Sequence, residues 1–135
     1  KLYLILNDLC RQAYENKSIL LNSNGKAFRD YIWMGDVIKI IDRSIYNEIC
    51  CNQIFNLSSG LSYNVLTVAN YVQKAFQELM LISLPIVINN KDLHVPKKLT
   101  VSNRKLSQYV QFETRNMFID EAKNIINLLS DNYAK

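Results

Sequence analysis

"GKAFRDYIWMGDVIKIID" (residues 25–42) places a turn glycine, a run of strand formers and an apolar helical stripe end to end. Residues 27–33 alternate weakly and are rich in aromatic side chains, which predicts a strand. Val37, Ile40, Ile41 and Ile45 then recur at helical spacing. Asp36 stands just before them, where a carboxylate can accept hydrogen bonds from the free amides of a first turn, so it is expected to cap that helix. A strand running straight into a helix argues for an α/β chain. Within the strand, neighbouring side chains point to opposite faces, so Arg29 and Asp30 are poorly placed to pair with each other. Arg29 carries a planar fork of donors suited to phosphate oxygens, and Tyr31 shares its face and would flank a bound anion. The competing reading is a surface ion pair between Arg29 and Asp30 or another acid.

The rest of the chain continues the alternation. Residues 2–16 carry Leu2, Leu6, Leu9, Cys10 and Ala13 at helical spacing, with Leu4 and Ile5 off that stripe. "SILL" (18–21) reads as a short strand and "NSNG" (22–25) as a turn. "NQIFNL" (52–57) is a further strand prediction, and "SSGLSYN" (58–64) a loop in which Gly60 makes a tight turn. Val65, Val68, Ala69, Val72, Phe76 and Leu79 form the cleanest helical stripe, with Ser62 or Asn64 as its cap. "LPIVI" (84–88) is a buried-strand candidate, residues 89–103 a polar loop, 104–110 a short helix, and Phe118 to Leu129 a final amphipathic helix. Strands interleaved with helices predict one α/β domain over residues 1–135, a mixed or parallel sheet of short strands covered by helices.

Composition narrows the function classes. With 135 residues, 49% hydrophobic and 21% charged, the chain can bury a core and is not expected to be disordered. Sixteen Lys and Arg against twelve Asp and Glu give a net charge of +4. That suits an anionic ligand, but no block of basic and aromatic residues supports a nucleic-acid module. Cys10, Cys50 and Cys51 contain no CxxC pair and His94 is the sole histidine, so neither a zinc site nor a disulfide framework is expected. Reduced cysteines fit a cytoplasmic protein. The longest apolar run, Leu79 to Ile88, is broken by Ser83 and Pro85 and is too short for a membrane span. The opening on Lys1 rather than Met hints that an upstream portion is missing.

A search for catalytic motifs is mostly negative. There is no GxGxxG, no GxxxxGK[ST] and no GxSxG, and no tyrosine has a lysine four residues on. On its own residues the chain does not look like a complete enzyme.

Three stretches, in order, resemble the C-terminal half of an NAD-dependent sugar-nucleotide epimerase/dehydratase of the extended short-chain dehydrogenase/reductase family. Residues 25–42 resemble its G-x-x-x-RD-aromatic-I-x-x-x-DV segment. Residues 54–76, "IFNLSSGLSYNVLTVANYVQKAF", resemble its strand, glycine loop and helix, with Ser58 where the family usually has Gly. Residues 99–126 resemble its closing segment, with Ser102 in place of an aspartate. The resemblance implies that Arg29 binds the diphosphate of a nucleotide sugar and that Tyr31 lies along the same ligand. It implies base contacts from Ile19, Leu21 and Leu61, and suggests Lys91 as a stand-in for a second phosphate-binding arginine. Asn56 and Gly60 are implied to be structural. NAD or NADP would serve the complete enzyme on an N-terminal Rossmann half absent here, so no cofactor and no catalytic residue is assigned to this chain. The implied partners are the nucleotide-sugar substrate and that missing half, with a homodimer of the complete enzyme left open and neither nucleic acid nor membrane expected.

The leading expectation is therefore the substrate-binding part of an NAD(P)-dependent nucleotide-sugar epimerase or dehydratase serving polysaccharide precursor synthesis. The alternative is a non-catalytic nucleotide-sugar-binding module or a degenerate remnant. Leu4 and Ile5 are expected to lie uncovered where the missing half would pack.

Overall fold

A computed structural model describes residues 4–89, 91 and 93–133. They form α1 (Ile5–Asn16), β1 (Ile19–Leu21), β2 (Phe28–Asp30), α2 (Met34–Ile45), a short 3-10 turn (Glu48–Cys50), β3 (Ser62–Asn64), α3 (Val65–Met80), β4 (Ile86–Ile88), α4 (Arg104–Ser107) and α5 (Phe118–Tyr133). The chain is a mixed α/β fold with very short strands, and it divides into two compact units.

The first unit joins residues 1–27, 64–97 and 117–135. Here α1, α3 and α5 pack on one another beside a parallel pair of strands, with Ile19 opposite Ile86 and Leu21 opposite Ile88. Ala13, Ala69, Ala75 and Ala122 are fully buried between the helices, and their small side chains let the backbones approach. Leu9, Val68, Val72, Phe76 and Ile126 fill the rest, each large side chain contributing about 1.5–3 kcal/mol by leaving water. Phe118 stacks on Tyr71 at 5.3 Å between centroids. The α3 stripe is as the sequence predicts, and Asn64 is its cap: Asn64 Oδ1 accepts from the Thr67 amide at 2.7 Å and the Thr67 hydroxyl at 2.8 Å. Helix α1 is described from Ile5, so Leu2 of the predicted stripe lies outside the described residues. Leu4 is 71% exposed and Ile5 36%.

The second unit comprises residues 28–63 and 98–116. Its core is Ile40, Leu106 and Val110, with Ile32, Cys50, Phe55 and Phe112 packed against them. Cys51, by contrast, is exposed. Strand β2 is hydrogen-bonded to β3 and is shorter than predicted, because the chain leaves the ladder after Asp30. Trp33 precedes α2, and its ring lies over Gly35, where a Cβ would come within 2.4 Å of it. That packing starts the helix two residues before the predicted cap. Asp36 therefore sits inside the first turn, where its charge favours the helix dipole, rather than at the cap.

Residues 52–57 correct a second expectation. They form no strand, although their composition is that of one. Their contacts are made by side chains instead: Asn56 Nδ2 donates to the Ser102 carbonyl at 3.2 Å, and Lys105 Nζ to the Ile54 carbonyl at 3.0 Å. A strand needs a neighbouring backbone ladder, and each of these bonds joins a side chain to a backbone carbonyl instead. Helix α4 likewise ends at Ser107, short of the predicted residue 110.

Candidate functional site

Strand β2 sends its two charged residues in different directions. Asp30 accepts three hydrogen bonds from the following loop: the Ser59 amide at 2.8 Å, the Ser59 hydroxyl at 2.9 Å and the Gly60 amide at 3.1 Å. Ser59 Oγ in turn accepts from the Leu61 amide at 3.0 Å. Ser58 Oγ donates to the Val101 carbonyl at 3.0 Å, Asn103 Nδ2 to the Ser58 carbonyl at 3.2 Å, and Thr114 Oγ1 to the Ser59 carbonyl at 3.2 Å. Gly60 adopts φ +72°, and an added Cβ would press on Asn103 Nδ2 at 3.2 Å. Glycine carries neither the strain of that φ nor the crowding. The loop is thus a clamped structure, with Ser58 and Ser59 buried.

Arg29 is left exposed by the same alternation. Its Nη1 donates to the Phe28 carbonyl at 2.7 Å, and no ion pair to an acid is formed among the described residues. Tyr31 is half-buried, and burial raises its hydroxyl pKa above the ordinary tyrosine value, with the positive charge of Arg29 acting in the opposite direction. The guanidinium and the phenol therefore share one electrostatic environment. Leu61, 45% exposed, ends the clamped loop where β3 begins, and β3 is bonded to β2. Arg29, Tyr31 and Leu61 are accordingly carried by one strand pair and its loop.

The other predicted ligand contacts belong to the first unit. Ile19 and Leu21 are 0% and 3% exposed, facing its core, while Leu20 between them is 52% exposed. Lys91 is exposed in a turn whose amide donates to Asn89 Oδ1.

A polar cavity of about 570 Å³ in the second unit was not foreseen. Asp36, Lys39 and Arg43 line it from α2, facing Ser107, Glu113 and Arg115. Arg43 Nη1 donates to the Gln111 carbonyl, and Lys39 Nζ stands 5.5 Å from the centre of the Trp33 ring. Asp36 is 3% exposed, and its Oδ2 has no hydrogen-bond partner among the described residues. The spacing of Asp36, Lys39 and Arg43 at three and four residues was the available signal for a polar helix face. Among the described residues no group of three metal-ligating side chains is assembled, and no helix is long and apolar enough to cross a membrane.

Solved structures share this fold. RMD from Pseudomonas aeruginosa, complexed with NADPH, matches over 98% of this chain and 44% of its own, with a TM-score of 0.77 at 14% identity. UDP-N-acetylglucosamine 4-epimerase from Bacillus cereus matches over 94% of this chain and 40% of its own, with a TM-score of 0.70 at 20% identity. UDP-glucose 4-epimerase from Bifidobacterium longum, in complex with NAD+ and UDP, matches over 96% and 40%, with a TM-score of 0.68 at 19% identity. The chain shares its fold with part of each of these structures. The chain spans about two-fifths of the length of these structures. No protein-family model and no curated protein sequence matches it.

Proposed function

We propose that this chain is the substrate-holding part of an NAD(P)-dependent nucleotide-sugar epimerase or dehydratase. The observation that carries the reading is the placement of Arg29. Asp30 is occupied by the 59–60 loop, which leaves the Arg29 guanidinium exposed beside Tyr31 without a carboxylate to neutralise it. A cation so placed suits a diphosphate, because two parallel N–H donors match two phosphate oxygens. Tyr31 would lie along the ligand, and Leu61 offers apolar surface at the end of the loop. Lys91 is proposed as a further point charge for phosphate, whereas Ile19 and Leu21, at 0% and 3% exposure in the core of the first unit, offer no surface to a base. NAD or NADP, bound by the remainder of the enzyme, supplies the hydride chemistry; this chain binds and orients the nucleotide sugar. The complete enzyme is proposed to act in the cytoplasm on polysaccharide precursors.

Calorimetry on the protein that includes the residues upstream of Lys1 tests the reading. A nucleoside diphosphate sugar should bind more tightly than the bare sugar, and Arg29→Ala should weaken its binding by about 2–4 kcal/mol with the fold unchanged. Unchanged affinity removes Arg29 from the site. An upstream sequence without a glycine-rich strand-turn-helix would favour the non-catalytic module instead.

A further inference from the structure

Asp36 is a buried carboxylate that the fold leaves incompletely bonded. It is 3% exposed, and its Oδ2 has no hydrogen-bond partner among the described residues. The first turn of α2 favours its charge but supplies that oxygen with no donor. Buried polar atoms are ordinarily paired, so an open one on a cavity wall marks a place for a donor from outside the chain.

The rest of the cavity says what else that molecule carries. Lys39, Arg43 and Arg115 outnumber Asp36 and Glu113 around it, and none of these five forms an ion pair among the described residues. Arg43 is committed to the Gln111 carbonyl, which leaves Lys39 on α2 and the exposed Arg115 on the facing segment as the available cations. Excess positive charge calls for an anion, and a guanidinium fork suits the oxygens of a phosphate. Amid three cations, a neutral hydroxyl is a better donor to Asp36 than another ammonium would be. Val110 and Phe112 add apolar surface for the C–H face of a sugar ring. The cavity is also held open: Thr114, between Glu113 and Arg115, donates to the Ser59 carbonyl at 3.2 Å, so its wall does not depend on a ligand for its position. Its volume of about 570 Å³ is that of an ordinary small-molecule site.

We infer that this cavity binds a sugar phosphate, with a sugar hydroxyl donating to the Asp36 carboxylate and the phosphate held by Arg115 and Lys39. The site shares no lining residue with Arg29, Tyr31 or Leu61, so it is a second site and does not depend on the proposed function.

Calorimetry on the protein that includes the residues upstream of Lys1 is the test, with glucose 6-phosphate, glucose and inorganic phosphate as probes. Glucose 6-phosphate should bind more tightly than either of the others, because it alone engages both ends of the site. Arg115→Ala removes an exposed side chain and should weaken glucose 6-phosphate and inorganic phosphate alike, by about tenfold or more for one lost charge-assisted bond. Asp36→Asn should weaken glucose 6-phosphate and leave inorganic phosphate unchanged. Arg29→Ala should change neither. Absence of glucose 6-phosphate binding at millimolar concentration overturns the inference, as does an affinity that Arg115→Ala leaves untouched. Inorganic phosphate bound as tightly as glucose 6-phosphate removes Asp36 from the site and overturns the sugar phosphate. Binding lost in Arg29→Ala but kept in Arg115→Ala assigns the probe to the Arg29 site, which overturns this inference and leaves the nucleotide-sugar reading standing.

Discussion

Replacing Asp30 by alanine removes three hydrogen bonds to a charged acceptor in one step. The Ser59 and Gly60 amides lose their partner, the Ser59 hydroxyl keeps the Leu61 carbonyl at 3.0 Å as an alternative acceptor, and Ser59 is only 7% exposed. A hydrogen bond to a charged group contributes about 1.5–3 kcal/mol, and a buried donor left open costs about 1–3 kcal/mol. The three bonds share one carboxylate and are partly reached by water, so they do not add in full. A net loss of about 3 kcal/mol is the expected value. For a domain of this size that corresponds to a fall of about 10 °C in melting temperature. Trp33 is the chain's single tryptophan and lies in the same unit, so its fluorescence follows the unfolding of that unit directly. Asp30→Asn keeps the shape and one acceptor oxygen, and should recover about half of the loss. An Asp30→Ala protein melting within about 2 °C of the wild type by Trp33 fluorescence would refute the clamp, since even one lost charged bond exceeds that.

Two further expectations concern the first unit. Glu78 lies 2.6 Å from Lys123, whose hydrogen bond and charge, with Lys74 more weakly, hold the carboxyl below its ordinary pKa. A depressed carboxylate stabilises the fold above its unfolded pKa, and the contribution is lost as pH falls through the folded value. Lys123→Met should raise the Glu78 pKa toward normal in a carbon-detected NMR titration; an unmoved value would show the pair is not formed in solution. Burial pushes the Cys10 thiol up to about 12, whereas Cys51 is exposed. Cys51 should react with a thiol reagent at neutral pH and Cys10 only on unfolding, because the thiolate is the reactive species. Labelling of native Cys10 as fast as Cys51 would show that α1 does not seal against its neighbours.

The sequence by itself determined the helices and the alternation of charge on β2. The α3 stripe, the Asn64 cap and the final helix follow from local spacing, which is a property of the chain alone. The separation of Arg29 from Asp30 was legible for the same reason: a strand's side chains alternate whatever surrounds it. What Asp30 then binds was not legible, because the amides of Ser59 and Gly60 are some thirty residues away and only folding brings them to it. The same holds for Ile19 and Leu21: they are consecutive with the equally apolar Leu20, and their inward direction was set by packing against α1. Residues 52–57 mark the boundary most clearly. Their composition specifies a strand, yet a ladder is a relation between two segments, and tertiary structure supplied them with one carbonyl, from Ser102, for the Asn56 side chain and the Lys105 ammonium for the Ile54 carbonyl, in place of a paired backbone.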